Sequence, residues 1–145
     1  MKYIKSNFHV EDVNLQKLAK KFDTPLYCYS YEKLKKNIIN FKFHFRKLNP
    51  LICFAIKSNS NLSIIKEIKK LGLGADVVSK GELTQALKAG INPKKIVFSG
   101  VGKSHSELKY AIEKKILLIN SESKSEVFEI EKIAKLKKKN CKYWN

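Results

Sequence analysis

The sequence predicts an α/β fold with a parallel sheet, and three observations carry that expectation. Four short strand-like runs, Leu51–Ile56, Gly74–Ser79, Lys95–Ser99 and Ile116–Asn120, are each followed by apolar residues at helical spacing. The connections between them are brief and punctuated by Gly72, Gly90 and Asn92-Pro93. Three of the helices open on a serine followed three residues later by a glutamate, at Ser79–Glu82, Ser104–Glu107 and Ser123–Glu126, which is the spacing of a capping box. Strands that alternate with helices in this way build a parallel sheet. Two closures are open to it, a doubly wound sheet and a TIM-type (β/α)8 barrel, and the near-even spacing of the units favours the barrel. A complete barrel takes roughly 250 residues, so the four units of this 145-residue chain are expected to form the first half of one.

The elements can be justified in order. Asn14–Phe22 carries Leu15, Leu18, Ala19 and Phe22 at helical spacing, with Asp12 or Asn14 placed to cap it. Thr24-Pro25 breaks that helix, Leu26–Tyr29 reads as extended, and Ser30 caps a second helix with the stripe Tyr31, Leu34, Ile38, Phe41 and Phe45. Asn49-Pro50 stops it before the first strand of the repeat. Leu62, Ile65 and Ile68 then mark a helix closed by Gly72, and Leu83, Ala86 and Leu87 one ended by Gly90. Leu108, Ala111 and Ile112 belong to the third helix of the repeat, and Val127, Ile130 and Ala134 to the fourth. The end, from Leu136 to Asn145, shows no strand alternation and reads as the tail of a truncated copy.

Composition narrows the class further. A 43% hydrophobic content is that of a globular chain. The net charge of +17 raises polyanions as partners, yet Arg46 is the only arginine and the lysines are spread over every helix. The charge is therefore read as solvated helix faces, with nucleic acid not expected as a partner. The alternative, a basic polyanion-binding module, predicts affinity that falls steeply with salt. Cys28, Cys53 and Cys141 form no CxxC pair and read as buried thiols of a reducing, cytoplasmic protein. His9, His44 and His105 lack metal-ligand spacing, so no metal is expected. Met1–Val13 has no apolar h-region and no apolar run approaches membrane-spanning length.

One residue draws the chemistry together. Six apolar residues, Leu51–Ile56, run without alternation and stop at Lys57, the pattern of a strand buried on both faces that delivers one charged group at its end. Burial there would favour the neutral, nucleophilic amine, which Schiff-base chemistry requires. The plain alternative is a lysine that ends a strand and reaches into solvent. Asp76, set among Ala75, Val77 and Val78, needs a partner, and Lys57 on the neighbouring strand is the expected one. Glu82 is accounted for by the capping box as readily as by a catalytic role. Asn59 reads as a turn residue and Lys103 as a surface lysine.

The runs Thr24-Pro25-Leu26-Tyr27, Phe54–Asn61, Gly74–Leu83, Ala89-Gly90, Lys95–Ser104 and Asn120–Ser123 together resemble the diaminopimelate decarboxylase family of alanine-racemase-like barrels. The resemblance covers roughly residues 24 to 126 and is to the family's N-terminal part. It implies pyridoxal 5'-phosphate as cofactor, carried by Lys57, and decarboxylation of meso-diaminopimelate to L-lysine and carbon dioxide. It also implies that Asp76 and Glu82 help to set the charge and position of Lys57. Residues 1–29 are then an N-terminal extension, 30–139 the first half of the cofactor-binding barrel and 140–145 a truncated tail. In this reading the complete enzyme is a homodimer, and the chain alone is expected to be inactive or to need a separately made C-terminal half. A related ornithine or arginine decarboxylase is the alternative within the fold.

Overall fold

A computed structural model describes residues 2–136 and the backbone of 143–144. The chain divides into two compact units, Met1–Leu48 and Asn49–Asn145.

The first unit begins with three short antiparallel strands, β1 (Lys2–Ile4), β2 (Asn7–Val10) and β3 (Val13–Asn14). The β1–β2 turn places Lys5 and Ser6 at φ 45° and 63°, the positive values that a two-residue hairpin turn needs. Neither residue is the glycine or asparagine that usually signals such a turn, so the sequence carries no mark of it. Helix α1 (Leu15–Phe22) is capped by Asn14, whose Oδ1 accepts from Lys17 N–H at 3.0 Å; of the two expected caps, Asn14 serves. Helix α2 (Tyr31–Phe45) is capped by Ser30, and the Glu11 carboxylate adds to that cap, accepting from Glu32 N–H at 2.9 Å and from Ser30 Oγ at 2.7 Å. These bonds hold the Glu11 carboxyl below its ordinary range. The apolar stripe expected on α2 is not buried: Leu34 and Ile38 are half-buried, and Phe41 and Phe45 are exposed and stacked on each other at 4.6 Å.

The second unit is the repeat. Strands β4 (Cys53–Ala55), β5 (Gly74–Val77), β6 (Ile96–Phe98), β7 (Leu118–Asn120) and β8 (Tyr143–Trp144) form one parallel sheet whose spatial order is the order of the chain. A doubly wound sheet reverses its strand order at a switch point, whereas a barrel does not, so the order decides between the two closures in favour of the barrel. Helices α3 (Leu62–Lys70), α4 (Lys80–Lys88), α5 (His105–Lys114) and α6 (Lys124–Leu136) follow successive strands. The fifth strand, β8, pairs through Ile119↔Tyr143 and Asn120↔Trp144. Two residues are too few to show alternation, which is why the tail reads as strandless in sequence. Cys141, read as a buried thiol, lies outside the described residues.

Alternation sorts the sheet into two faces. Ala75, Val77, Ile96, Phe98 and Ile119 are buried in one cluster with Ile65, Leu83, Leu108, Ile112, Ile130 and Ile133 of the helices, at about 1.5–3 kcal/mol for each large side chain. The opposite face carries Cys53, Ala55, Asp76, Val97, Leu118 and Asn120, all half-buried. The helix ends explain the short connections. Gly72 and Gly90 adopt φ 82° and 83°, and in each case the next residue turns back onto the helix: Leu73 N–H reaches Ile68 O and Ile91 N–H reaches Ala86 O. This is the Schellman arrangement, with Leu73 and Ile91 buried as its apolar clasp.

The three capping boxes are not alike. Only Ser104–Glu107 is complete. The backbone N–H groups of Glu82 and Glu126 each donate to the hydroxyl oxygen of their serine, but their carboxylates reach one residue further back, accepting from Val78 N–H and Glu122 N–H. Glu107 also accepts from Lys80 N–H at 3.0 Å, so the start of α5 closes the start of α4. That bond, then the one from Ser104 N–H, holds the Glu107 carboxyl below the ordinary glutamate value of 4.5. A depressed folded-state value contributes stability that is present above 4.5 and is lost as pH falls through the folded value. Glu107→Gln is therefore expected to lower stability at neutral pH while leaving the acid end nearly unchanged, and so to flatten this acid limb of a stability–pH profile. An unaltered acid limb, measured by urea unfolding, would count against the helix-to-helix bond.

Candidate active site

Lys57 stands just after β4, in a single 3-10 turn, Ile56–Ser58. Ile56 is fully buried and anchors the turn, Ser58 Oγ donates to Ala55 O at 2.7 Å, and Asn59 N–H donates to Ile56 O at 3.0 Å. Asn59 Oδ1 accepts from Asn61 N–H, and Asn61 Oδ1 from Ser63 N–H at the start of α3. Asn59 thus makes the turn that its sequence position suggests.

Two expectations about this strand are corrected. The strand is three residues long and half-buried, with Leu51 exposed, because among the described residues β4 lies at the end of the strand order, beside β5. Lys57 itself is exposed rather than enclosed at the mouth of a buried strand. What the fold provides is an accessible amine on a rigid turn at the C-terminal end of a parallel sheet, where barrel active sites lie.

Asp76 is paired with Ala55 in register, one strand over and two residues back from Lys57. Its partner is a hydroxyl. Ser99 Oγ donates to Asp76 Oδ1 at 2.7 Å, and Asn120 Nδ2 donates to Ser99 Oγ at 3.0 Å. No ion pair joins Asp76 to Lys57 among the described residues. The carboxylate thus accepts from a residue just past β6, which is itself held by the last residue of β7. Glu82 is committed to Val78 N–H at 2.9 Å and so holds the turn between β5 and α4.

Lys103 departs furthest from expectation. In place of a surface lysine there is a side chain 1% exposed, with Nζ 3.1 Å from the Glu126 carboxylate, itself 9% exposed. The same ammonium donates to Gly100 O and Asn120 O, each at 2.6 Å. Ser99 and Asn120 have no role in the sequence reading, and Glu126 has one only as a capping-box glutamate. One signal was available: Ser99 and Asn120 are polar residues ending apolar runs, as Lys57 is, and such positions collect at one end of a parallel sheet.

Cys53 lies on the same sheet face as Asp76. Burial first, and the Asp76 charge second, push its thiol above the ordinary value of 9.0. Cys28 and Cys53 are half-buried free thiols, less buried than expected. Cys53 should react slowly with iodoacetamide at neutral pH and speed up on unfolding in urea, as followed by mass spectrometry; rapid labelling of the folded chain would contradict this environment. Among the described residues no His, Cys, Asp or Glu cluster could hold a metal ion, and no helix is long and apolar enough to cross a membrane.

Comparison with known proteins gives a consistent set of relatives. A diaminopimelate decarboxylase of Helicobacter pylori is 50% identical over 121 residues, covering 83% of this chain and 30% of the relative. One from Aquifex aeolicus is 45% identical over 143 residues, covering 96% of this chain and 33% of the relative. The crystal structure of diaminopimelate decarboxylase from M. jannaschii superposes with a TM-score of 0.94 at 34% identity, over 98% of this chain and 34% of that one. The chain thus spans about 30% of the length of the first of these relatives. The family model for the pyridoxal-binding domain of pyridoxal-dependent decarboxylases matches residues 31–141, and the chain belongs to that family.

Proposed function

We propose that this chain is the lysine-bearing part of a diaminopimelate decarboxylase, in which Lys57 attaches pyridoxal 5'-phosphate and the whole enzyme converts meso-diaminopimelate to L-lysine and carbon dioxide in the cytoplasm. The observation that carries the reading is the accessible Lys57 amine on its rigid turn, one strand from a carboxylate held in place by Ser99. The names and identities of the relatives support the substrate.

The residues present fit one end of the cofactor. An exposed primary amine suits its aldehyde, and the cofactor when bound supplies an electron sink for the carbon that loses carbon dioxide. Asp76, fixed by its hydroxyl donor, offers a preorganised negative oxygen that orients a cationic amine at the strand ends. Glu82 serves by holding the turn that follows Asp76. Carboxylates stand beside the starts of α4, α5 and α6, where an anion would otherwise bind: Glu82 accepts from Val78 N–H and Glu126 from Glu122 N–H, each just before its helix, and Glu107 accepts from Ser104 and Lys80 N–H, so these helix starts disfavour a phosphate. Weak cofactor binding by this chain alone, with no useful decarboxylation, follows from that arrangement.

Borohydride reduction of the chain mixed with pyridoxal phosphate, read by peptide mass spectrometry, tests the proposal. Lys57 should carry the label selectively, and Lys57→Ala should abolish it. Label spread over many lysines and indifferent to the substitution would end the assignment.

A further inference from the structure

The buried ammonium of Lys103 has no part in the reading above, yet its geometry leads to Asp76. The Lys103 ammonium has three protons and three acceptors: Gly100 O and Asn120 O, each at 2.6 Å, and the Glu126 carboxylate at 3.1 and 3.2 Å. The backbone reaches this position through Gly100 and Gly102, at φ 92° and 68°, a left-handed path that glycine follows at little cost. The ammonium thereby ties the loop after β6, the last residue of β7 and the first turn of α6.

Asn120 is gripped at both ends. Its carbonyl oxygen accepts from Lys103, and its Nδ2 donates to Ser99 Oγ. A hydroxyl has a single proton. With Ser99 Oγ already accepting from Asn120, that proton is directed at Asp76 Oδ1. Asp76 of β5, Ser99 just past β6 and Asn120 of β7 therefore stand in line, and the line is joined at Asn120 O to the buried Lys103 ammonium.

We infer that Lys103 is a positioning residue for Asp76: by holding Asn120 it orients the Ser99 hydroxyl, and that hydroxyl sets the Asp76 carboxylate beside the strand that delivers Lys57. The functional meaning rests on the proposed roles of Lys57 and Asp76; the line of contacts does not, and can be tested without cofactor.

The readout is the carbon-13 resonance of the Asp76 carboxyl in the labelled full chain at neutral pH. Removing Lys103 alone strands the buried Glu126 charge, so the variant is Lys103→Met combined with Glu126→Gln. Ser99→Ala should displace the Asp76 resonance, the Lys103/Glu126 variant should displace it in the same direction, and combining all three should add nothing beyond Ser99→Ala, as expected of residues acting in series. A merely structural role would disturb resonances throughout the unit without this dependence on Ser99. An Asp76 resonance unmoved by the Lys103/Glu126 variant, or effects that simply add, would overturn the inference. If that variant does not fold, Glu126→Gln alone takes its place, with a smaller displacement expected in the same direction and none counting against the inference. The yield of borohydride-trapped cofactor on Lys57 forms a separate arm. It should fall about fivefold in Ser99→Ala and in the Lys103/Glu126 variant, the worth of one hydrogen bond. Absence of label on wild-type Lys57 would sink the proposed function and leave the positioning inference to the resonance data.

Discussion

Lys103→Met, made alone, is expected to lower the unfolding free energy by about 3–5 kcal/mol. The substitution keeps the length of the side chain but removes the ammonium that Gly100 O, Asn120 O and Glu126 share. Glu126, 9% exposed, would be left as a buried carboxylate that among the described residues still accepts from Glu122 N–H, and that stranded charge is the larger part of the loss. Domains of this size have about 5–15 kcal/mol in total, so the variant should show a much lower urea midpoint or fail to fold. Adding Glu126→Gln should recover most of the loss, because two buried charges removed together cost far less than one. A surface lysine would respond within about 0.5 kcal/mol, and a result of that size would show that Lys103 is not enclosed as described.

Gly74→Ala is expected to cost at least about 3 kcal/mol, the upper end for overpacking. A Cβ at Gly74 would stand 2.1 Å from Lys95 O and 2.9 Å from Cys53 Sγ. The first of these atoms is backbone at the start of β6, so relief requires separating two paired strands rather than turning a side chain. Two other glycines make the comparison sharp. Gly81, in the first turn of α4, has only Ser79 Oγ near the same atom, at 3.7 Å, and Gly81→Ala should be neutral or stabilising by up to about 1 kcal/mol. Gly102 has open space around it but a φ of 68°, so alanine there should cost about 1–2 kcal/mol through backbone strain alone. Urea midpoints should rise from Gly74→Ala through Gly102→Ala to Gly81→Ala; equal midpoints for Gly74→Ala and Gly81→Ala would refute the close approach of β5 to β6.

Much of this was open to a reader of the sequence, and the exceptions have physical causes. The caps at Ser30, Ser79, Ser104 and Ser123, and the glycine ends at Gly72 and Gly90, depend on atoms a few residues apart, so their spacing in the chain is already their geometry. The repeat of strand and helix, and with it the α/β class, follows from the same kind of local regularity. The N-terminal hairpin escaped because Lys5 and Ser6 take up a conformation their side chains do not advertise. Burial of the Leu51–Ile56 run was overestimated because an uninterrupted apolar stretch reports that a strand is apolar, not how many neighbours it has.

For the candidate site the division is similar. The sequence by itself determined that Lys57 ends a strand, that Asp76 sits among apolar residues and needs a partner, and that both belong to one end of a parallel sheet. Only the tertiary structure decided who that partner is. Ser99 lies 23 positions beyond Asp76 in the chain and Asn120 a further 21, and Ser99 meets Asp76, with Asn120 behind it, because parallel register brings the ends of β5, β6 and β7 together. Lys103 was misjudged for the same reason: lysine is a surface residue by composition, and whether it is buried depends on acceptors supplied by Asn120 and Glu126, 17 and 23 residues away. Periodicity and capping are properties of neighbouring residues, whereas the enclosure of a charge is a property of the place where distant segments close around it.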